Sequence, residues 1–310
     1  MHVFLTGATG FVGSYVLEAL IEAGHTVRCL MRDTTAPLKI SHDGIEKVKG
    51  DVTKPKTLTG LLRGCDAVIH LVGIIQENSR AGITFERMHL DATKNVVDEA
   101  KASEIDYFIQ MSANGARASG VSGYQTTKWQ AEQYVQKANF GHWTIFRPSV
   151  IFGAPMPGQP EFTSQLTETL VLAFPILPVF GDGAYQMQPV AVTDVANAFV
   201  QALTLETAKN QIYPVAGPVA YAYTEILDIL AEGAGISPKP QLKQPLWLVR
   251  PLIHTVGKLG VLPITPDQFE MLIEGNTCDP TAFYRDFELE RVPFTAANLT
   301  YLQKGRATAA

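Results

Sequence analysis

Three side chains suited to proton transfer at a carbonyl group lie close together in the sequence: Ser112, Tyr124 and Lys128. Ser112 follows a predicted strand at 107–111, and Tyr124 and Lys128 share one face of a predicted helix at 122–138. Free tyrosine has a pKa of about 10, and a neighbouring ammonium group is expected to lower it. We therefore predict hydride chemistry on a carbonyl or hydroxyl group, with Tyr124 as acid and base, Lys128 lowering its pKa and Ser112 binding the carbonyl oxygen.

A glycine-rich turn lies upstream of these residues. Residues 6–13 read TGATGFVG, directly after a predicted strand and at the start of a predicted helix. The spacing G-x-x-G-x-x-G is one residue longer than the ordinary dinucleotide fingerprint, and the glycines stand where the backbone must turn and approach a pyrophosphate closely. A glycine turn without a ligand is the alternative. The predicted dinucleotide contacts in this turn are Gly7, Thr9, Gly10, Phe11, Val12 and Gly13.

The end of the second predicted strand bears on the choice of nucleotide. Arg32 and Asp33 stand where such folds contact the adenosine ribose, with an acid for a free 2′-hydroxyl and an arginine for a 2′-phosphate. Because a guanidinium binds phosphate bidentately, Arg32 predicts NADP(H), while Asp33 keeps NAD(H) as the alternative. Asp51, which Val52 follows, either accepts from the adenine amino group or begins the helix that Pro55 enters.

The order of elements predicts the fold. Up to about residue 150, short β-branched apolar runs alternate with segments of helical period, which is typical of βαβ units and a parallel sheet. The predicted strands are 3–6, 26–31, 45–49, 67–72, 107–111 and 143–146, and the predicted helices are 11–24, 55–63, 83–101 and 122–138. A strand at 188–192, a helix at 194–205 and a strand at 212–215 are expected to return to this sheet. The predicted fold is α/β, a Rossmann doubly wound, mostly parallel sheet with a small C-terminal lobe.

Two domains are predicted from the distribution of proline and of strand–helix alternation. The NADP-binding Rossmann domain is expected over residues 1–152 plus roughly 188–216. A small substrate or partner lobe is expected over 153–187 plus 217–310, where most of the prolines fall. The tail at 305–310 is expected to fray.

Composition and charge narrow the functional class. The 310 residues are 46% hydrophobic and 18% charged, which excludes a disordered chain. A net charge of −5 without a basic tract argues against nucleic-acid binding. Three widely spaced cysteines and seven histidines without ligand spacing predict no metal site and no disulfide framework. A small-molecule substrate is therefore expected.

The apolar stretches suggest where the protein resides. The N-terminus lacks a basic segment ahead of an apolar one, so no signal peptide and a cytoplasmic location are expected. The stretches 169–180 and 245–264 are interrupted by proline or by charged and polar residues, so no transmembrane segment is predicted. The stretch 245–264 mixes apolar bulk with cations, which suits packing on the second lobe, a protein interface or peripheral contact with a membrane.

Taken together, these motifs resemble the short-chain dehydrogenase/reductase superfamily, in its extended and atypical branches, over nearly the whole chain. Similar segments recur in order at 6–13, 50–52, 66–73, 92–97, Ser112 with Tyr124 and Lys128, 146–153 and 192–196. The resemblance implies that Val72 and Gly73 lie behind the adenosine ribose and that residues 148–151 contact the nicotinamide. The predicted cofactor contacts therefore also include Leu71, Ser149, Val150, Tyr124 and Lys128.

A narrower resemblance concerns the segments 84–89, 111–116, 143–148 and 263–268. These look like bacterial relatives of the NADPH-binding, dehydrogenase-like accessory subunit of mitochondrial complex I, which is regarded as a structural protein. Sugar-nucleotide epimerases of the extended branch usually have asparagine at the position of His89. His89 either reaches the ribose or phosphate of the cofactor, packs in the core or lies on the helix surface.

Three functions are consistent with these patterns. The first is an NADP(H)-dependent oxidoreductase acting on a carbonyl or hydroxyl substrate. The second is a non-catalytic NADPH-binding structural or sensor protein that works through a partner, with association to a respiratory complex as the resemblance implies. The third is an NDP-sugar epimerase or dehydratase, which would hold NAD tightly. The sequence predicts neither the substrate nor the oligomeric state.

Overall fold

The computed structural model describes residues 1–256 and 264–306, which divide into two compact units. The first unit comprises Met1–Pro148, Thr193–Val215 and Pro280–Leu289. The second comprises Ser149–Val192, Ala216–Asp279 and the chain from Glu290 onward. From residue 307 on, the tail predicted to fray lies outside the described residues, as does 257–263 within the stretch 245–264.

The described strands are β1 His2–Thr6, β2 Thr26–Met31, β3 Ile45–Lys49, β4 Ala67–His70, β5 Tyr107–Met111, β6 His142–Pro148, β7 Ile151–Phe152, β8 Leu177–Phe180, β9 Gln186–Met187, β10 Val190–Ala191, β11 Gln211–Val215, β12 Tyr221–Ala222 and β13 Gln241–Gln244. The described α-helices are α1 Phe11–Glu22, α2 Ala92–Ala102, α3 Gly123–Lys137, α4 Phe162–Leu166, α5 Val192–Gln201, α6 Tyr223–Gly233, α7 Leu246–Val256, α8 Pro266–Glu274 and α9 Thr281–Asp286. Short 3₁₀ turns cover Pro55–Thr57, Ser79–Ala81, Glu206–Ala208 and Ala296–Arg306, and π-helical segments cover Glu86–Asp91 and Thr167–Val171.

The first unit is built on a parallel sheet. Within the described residues it has seven strands in the order β11-β6-β5-β4-β1-β2-β3, and each neighbouring pair is parallel. The order reverses between β1 and β4, and ligands of open α/β sheets bind outside the carboxyl ends of the strands at such a reversal. This confirms the predicted α/β Rossmann sheet.

Burial on both faces explains why the central strands are apolar runs. Val3, Phe4 and Leu5 of β1 are fully buried, as are Val68 and Ile69 of β4. A sheet covered by helices on both faces favours such continuous apolar runs over alternation. A polar side chain at the carboxyl end of one of these strands therefore departs from the pattern.

Two predicted elements are wrong. The predicted helix at 55–63 is only a 3₁₀ turn, Pro55–Thr57, and the chain then turns through Gly60 and Gly64, both with left-handed backbone (φ +76° and +77°), which ends helical geometry. The strand predicted at 188–192 does not join the large sheet. It shortens to β10, which pairs with β7, because Pro189 has no N–H to extend a ladder. The strand predicted at 212–215 does join the sheet, as β11.

The second unit has its own core around α6. Ile226, Leu227 and Leu230 of this helix are fully buried, and they belong to a cluster that includes Val179 of β8 and Phe294. The strands of this unit pair two by two, β7 with β10, β8 with β13 and β9 with β12. Over residues 1–256 and 264–306, no helix is long and apolar enough to cross a membrane.

Candidate active site

Ser112 is held at the carboxyl end of β5. Its backbone N–H donates to the carbonyl oxygen of Phe146 on β6 at 2.7 Å, which continues the pairing of the two strands by one residue. The side chain is buried, and its hydroxyl oxygen has no hydrogen-bond partner among the described residues. A buried hydroxyl without a partner costs on the order of 1–3 kcal/mol. The Ser112 hydroxyl can therefore form a hydrogen bond with a ligand oxygen.

Helix α3 carries Tyr124 and Lys128. Ser122 caps its N-terminus by accepting a hydrogen bond from the backbone N–H of Gln125. Lys128 is only 2% exposed, and its Nζ donates to the carbonyl oxygen of Met111 at 3.2 Å, beside Ser112. A Cβ atom on Gly73 would lie 2.8 Å from this Nζ, so the ammonium group occupies the space that a side chain there would fill.

The burial of Lys128 disfavours its protonated, charged form. Burial lowers the pKa of Lys128 to about 8, and the carboxylate of Glu132, one helical turn further along α3, acts in the opposite direction. Glu132 is itself fully buried and accepts hydrogen bonds from the guanidinium group of Arg147, at 2.8 Å from its Nε. Lys128 is therefore protonated at neutral pH. It belongs to a buried cluster of charges in which the Glu132 carboxylate lies between two cations, Lys128 and Arg147.

The pKa of Tyr124 moves opposite to the predicted direction. Burial raises it to about 12, whereas the sequence led us to expect Lys128 to lower it. The ring is surrounded by aromatic groups, since Phe85 and His89 both meet it edge to face, with centroids 5.7 and 5.2 Å away. An apolar wall disfavours the tyrosinate anion. Tyr124 is thus protonated at neutral pH and is better described as a proton donor than as a base.

The ring of His89 packs against the ring of Tyr124. The sequence left the role of His89 open. The residue is buried on the π-helical segment Glu86–Asp91, with Nδ1 2.9 Å from the hydroxyl of Thr127 and Nε2 3.1 and 3.0 Å from the backbone nitrogen and oxygen of Ile74. Its ring stacks on Phe85 at 5.4 Å. Burial, together with the charge of Lys128, lowers the pKa of His89 to about 2, so the ring is neutral. The signal in the sequence was a histidine where extended-branch relatives usually carry asparagine.

A row of buried polar side chains crosses the same edge of the sheet and was not predicted. Thr6, His70 and Gln110 are paired across β1, β4 and β5, and Thr6 Oγ1 lies 2.7 Å from His70 Nδ1. His70 Nε2 and Gln110 Oε1 are buried and have no partner among the described residues. Burial, and then the charge of Lys128, lower the pKa of His70 to about 3. The available signal was a histidine at the end of the apolar run Ala67–His70.

The glycine turn has the shape of a phosphate cradle. Gly7 has a left-handed backbone (φ +84°), and a Cβ atom on it would lie 3.3 Å from the backbone of Leu71. A Cβ atom on Gly13 would overlap the carbonyl oxygen of Gly7. No side chain caps the N-terminus of α1 after Gly10, which leaves its first N–H groups to a ligand, and Phe11 and Val12 are both buried there. These residues fit a dinucleotide pyrophosphate.

Arg32 and Asp33, the two charged residues after β2, differ in their hydrogen bonding. The Asp33 carboxylate accepts from the N–H and hydroxyl of Thr35, at 2.9 and 2.6 Å, and these bonds lower its pKa. Arg32 is exposed, and its guanidinium makes no hydrogen bond or ion pair among the described residues. Both bonds go to Oδ1 of Asp33, so its second oxygen, Oδ2, can still accept from a ligand, and Arg32 can bind an anion.

Asp51 also closes a local turn. Its Oδ1 accepts from the N–H and hydroxyl of Thr53, at 2.9 and 2.8 Å, just before the 3₁₀ turn that Pro55 opens. Burial alone raises the pKa of Asp51, but the bonds to Thr53 and the charges of Lys54 and Arg32 lower it overall. The geometry at Asp51 thus favours the turn over an adenine contact.

The remaining predicted cofactor contacts divide between the two units. Val52 and Leu71 are buried in the first unit, and Val72 is partly buried against its core. Pro148 ends β6 there, and its carbonyl oxygen accepts from the N–H of Asn114 at 2.8 Å. Ser149 and Val150 belong to the second unit, where the Ser149 hydroxyl donates to Gln188 O and Val150 O accepts from Val190 N. Over residues 1–256 and 264–306, no cluster of three metal-ligating side chains is found.

Comparison with known proteins identifies the family of the chain. A family model described as the NAD dependent epimerase/dehydratase family matches residues 3–216. The mitochondrial NADH-ubiquinone oxidoreductase 40 kDa subunit of Neurospora crassa is 26% identical over 98% of this chain and 79% of its own length. Ceramide reductase of Caulobacter vibrioides is 32% identical over 83% of this chain and 76% of its own length.

Among solved structures, a UDP-glucose 4-epimerase from Thermotoga maritima in complex with UDP-glucose has a TM-score of 0.77 at 18% identity, over all of both chains. This likeness shows the fold. The chain is a distant relative of the complex I 40 kDa subunit, and it belongs to the NAD-dependent epimerase/dehydratase family, an extended branch of the short-chain dehydrogenases whose typical cofactor is NAD(P).

Proposed function

We propose that the protein is an NADP(H)-dependent oxidoreductase that interconverts a carbonyl and a hydroxyl group. The observation that carries this proposal is a buried ammonium group bonded to the residue that precedes a buried hydroxyl without a partner among the described residues. Lys128 Nζ is bonded to Met111 O, and the next residue, Ser112, has a buried hydroxyl without a partner among the described residues. A purely structural network would satisfy that hydroxyl, because leaving it unpaired costs stability.

The residues of the first unit suit the nucleotide. The first N–H groups of α1 and the glycine turn would hold the pyrophosphate, and Arg32 would hold a 2′-phosphate. Arg32 is exposed at the end of β2, and a guanidinium binds a 2′-phosphate bidentately, which favours NADP(H) over NAD(H). When bound, the nicotinamide supplies or accepts the hydride.

Protein side chains would bind the substrate oxygen and donate the proton that it receives. In the direction of reduction, the Ser112 hydroxyl donates a hydrogen bond to the substrate carbonyl oxygen. Tyr124 would give its phenolic proton to that oxygen, which would then belong to the alcohol product. Lys128, one helical turn from Tyr124 on α3, would offset the negative charge that the transfer leaves on the tyrosine oxygen. The raised pKa of Tyr124 suits this direction, since the residue enters the step protonated.

The relatives support reduction of an apolar substrate. Ceramide reductase, which is 32% identical to this chain, is named for reduction and for a lipid. We therefore extend the proposal to a lipid-like carbonyl compound.

A second candidate is a protein that binds NADPH without turnover. It is favoured by the match to the 40 kDa subunit of a respiratory complex over 98% of this chain. In this case association with a larger complex would be the function and the site would hold the nucleotide as a structural ligand. Turnover of the nucleotide separates the two candidates.

The test is NADPH oxidation by the purified protein with a panel of long-chain ketones, aldehydes and quinones. Tyr124→Phe is compared with the matched control Tyr134→Phe, which removes a hydroxyl from the exposed face of the same helix, where it donates to Asp98. We expect oxidation with a long-chain ketone that Tyr124→Phe abolishes and Tyr134→Phe retains. Nucleotide binding without oxidation by any acceptor would overturn the proposal in favour of the second candidate.

A further inference from the structure

The ring of His89 joins two segments that flank the proposed proton donor. The residue lies on the π-helical segment Glu86–Asp91 and is buried. Its Nε2 faces the backbone of Ile74, in the segment that follows β4, and its Nδ1 faces the hydroxyl of Thr127 on α3. Strand β4 ends at the carboxyl edge of the sheet, and α3 carries Tyr124. One ring therefore connects the sheet edge to the helix of the proton donor.

The hydroxyl of Thr127 bears on the position of the imidazole proton. This hydroxyl has one proton to donate, and two acceptors lie within reach on the helix, the carbonyl oxygens of Gly123 at 2.8 Å and Tyr124 at 3.2 Å. When the hydroxyl donates to the helix, its oxygen accepts from His89 Nδ1, which is 2.9 Å away. This arrangement requires the imidazole proton on Nδ1.

The backbone of Ile74 favours the same form of the ring. Its N–H donates to His89 Nε2 at 3.1 Å, which requires a lone pair on that nitrogen, and its carbonyl oxygen lies 3.0 Å from the same nitrogen. A proton on Nε2 would bond to the carbonyl oxygen but leave the N–H facing a second donor. Orphaned N–H groups are rarer in proteins than under-satisfied carbonyl oxygens, so the bond from the N–H decides. Both ends of the ring therefore favour the neutral Nδ1–H tautomer.

These hydrogen bonds form one chain with a single direction. It runs from the N–H of Ile74 through the ring of His89 to the hydroxyl of Thr127, which donates into the first turn of α3. That turn begins at Gly123, which has no side chain to restrain it. The ring of His89 also meets the ring of Tyr124 edge to face, with centroids 5.2 Å apart. The chain thus restrains the backbone of Tyr124, and the ring contact restrains its side chain.

We propose that His89, as the Nδ1–H tautomer, is a positioning residue that acts through Thr127 to fix the phenol of Tyr124 for proton transfer. The inference rests on the proposed function for its purpose, because Tyr124 is the proton donor of that reaction. A misplacement of about 1 Å at a reacting group can cost about 10²-fold in rate. The hydrogen bonds that support the inference do not depend on turnover.

The kinetic test interrupts the chain at its middle. Thr127→Val removes the hydroxyl and keeps the branched shape of the side chain. Thr126→Val is the matched control, because Thr126 is also half-buried on α3 and its hydroxyl donates to the carbonyl oxygen of Ser122. With a long-chain ketone, kcat should fall by about tenfold or more in Thr127→Val, with the KM for NADPH within about twofold. Thr126→Val should react like the natural protein, and an equally unchanged kcat in Thr127→Val would overturn the proposal.

Nitrogen NMR of the histidine side chains measures the tautomer. The signals of His89 are those missing from both His89→Phe and His89→Asn, and they should show a proton on Nδ1 and none on Nε2. Thr127→Val removes the acceptor of the Nδ1 proton, so a proton should appear on Nε2, where the carbonyl oxygen of Ile74 accepts it. Thr126→Val should keep the natural pattern. A proton on Nε2 in the natural protein would exclude the proposed chain.

This proposal and the proposed function can fail separately. A natural protein that oxidises no NADPH would overturn the proposed function, and NMR then decides the present inference without any activity. Signals of the labelled Tyr124 ring should shift or broaden in Thr127→Val and stay unchanged in Thr126→Val. Unchanged ring signals in Thr127→Val would show that the chain does not position Tyr124.

Discussion

The carboxyl edge of the large sheet and a group of exposed apolar side chains in the second unit depart from the ordinary distribution of side chains in opposite ways. We call this group the apolar strip: Phe174, Ile176, Leu242, Trp247, Leu248 and Leu252. At the sheet edge polar groups are buried, and the Ser112 hydroxyl and His70 Nε2 have no partner among the described residues. On the strip large apolar groups such as Trp247 and Leu252 are exposed. Folding alone favours neither arrangement, because the first leaves hydrogen bonds unmade and the second leaves apolar area in water.

The difference between the two regions lies in what would complete them. Buried polar atoms require a small molecule that brings matching polar atoms into the protein. Exposed apolar side chains require a broad surface that excludes water. We therefore assign the proposed chemistry to the first unit, and mutations there can be tested independently of the apolar strip, which belongs to the second unit.

The largest expected effect is at Tyr124. Tyr124→Phe removes the proton that the substrate oxygen receives but retains the ring that packs against Phe85 and His89. Turnover should fall by about 10²–10⁴-fold, which is typical for loss of a general acid. NADPH affinity, measured by protein fluorescence, should stay within about twofold. Unchanged turnover would remove Tyr124 from the reaction.

Ser112→Ala is expected to reduce turnover by about 10²-fold, as for loss of one hydrogen bond to a developing oxyanion. The free energy of unfolding should stay the same or rise, because the variant deletes a buried hydroxyl without a partner among the described residues. Urea unfolding and steady-state kinetics measure the two effects. A destabilised variant with normal turnover would show that the hydroxyl is structural.

Arg32→Ala distinguishes the two nucleotides. Loss of a charged hydrogen bond to a 2′-phosphate should weaken NADPH by about tenfold or more, while NADH affinity changes little. Asp33→Ala is the matched control, because the carboxylate it removes is bonded to Thr35. Titration calorimetry with both nucleotides measures the ratio. An equal loss for NADPH and NADH in Arg32→Ala would exclude Arg32 as the 2′-phosphate ligand.

The buried histidines predict a pH dependence of stability. The pKa values of His70 and His89 are lowered to about 3 and about 2, whereas an unfolded histidine has a pKa of about 6.5. Between these values the unfolded chain binds more protons, so stability is lost as pH falls below about 6.5. At pH 5 each histidine accounts for about 2 kcal/mol of this loss.

Urea unfolding at pH 7 and pH 5 measures this dependence. The difference between the two pH values should be smaller by about 2 kcal/mol in His89→Asn than in the natural protein. His42→Asn, at an exposed position, should retain the full difference. The same pH difference in His89→Asn and the natural protein would contradict burial of a neutral ring.

Much of the first unit could be predicted from the sequence because its signals are local. The strand 26–31 and the strand 107–111 have the predicted bounds, since β-branched and apolar runs between helical segments specify them. Gly7 and Gly13 were predicted from spacing, and both stand where a side chain would meet the backbone. The helix predicted at 55–63 is wrong for a local reason too. Gly60 and Gly64 adopt left-handed backbone geometry, which the apolar pattern did not indicate.

What the sequence did not predict depends on contacts between distant segments. The direction of the Tyr124 pKa shift follows from the aromatic wall that Phe85 and His89 build, and neither lies near Tyr124 in the chain. The buried row of Thr6, His70 and Gln110 exists only because three strands align in register. The apolar strip likewise depends on which residues of α7 the core leaves uncovered.

The most direct test of the central claim is to follow reduced nicotinamide absorbance on freshly purified protein, after identifying by mass any nucleotide that it releases on denaturation. We predict that the protein binds NADP(H) and that a long-chain ketone oxidises the reduced form in a reaction that requires Tyr124. NADPH that binds but is oxidised by no ketone, aldehyde or quinone would contradict the account, and so would a tightly held NAD.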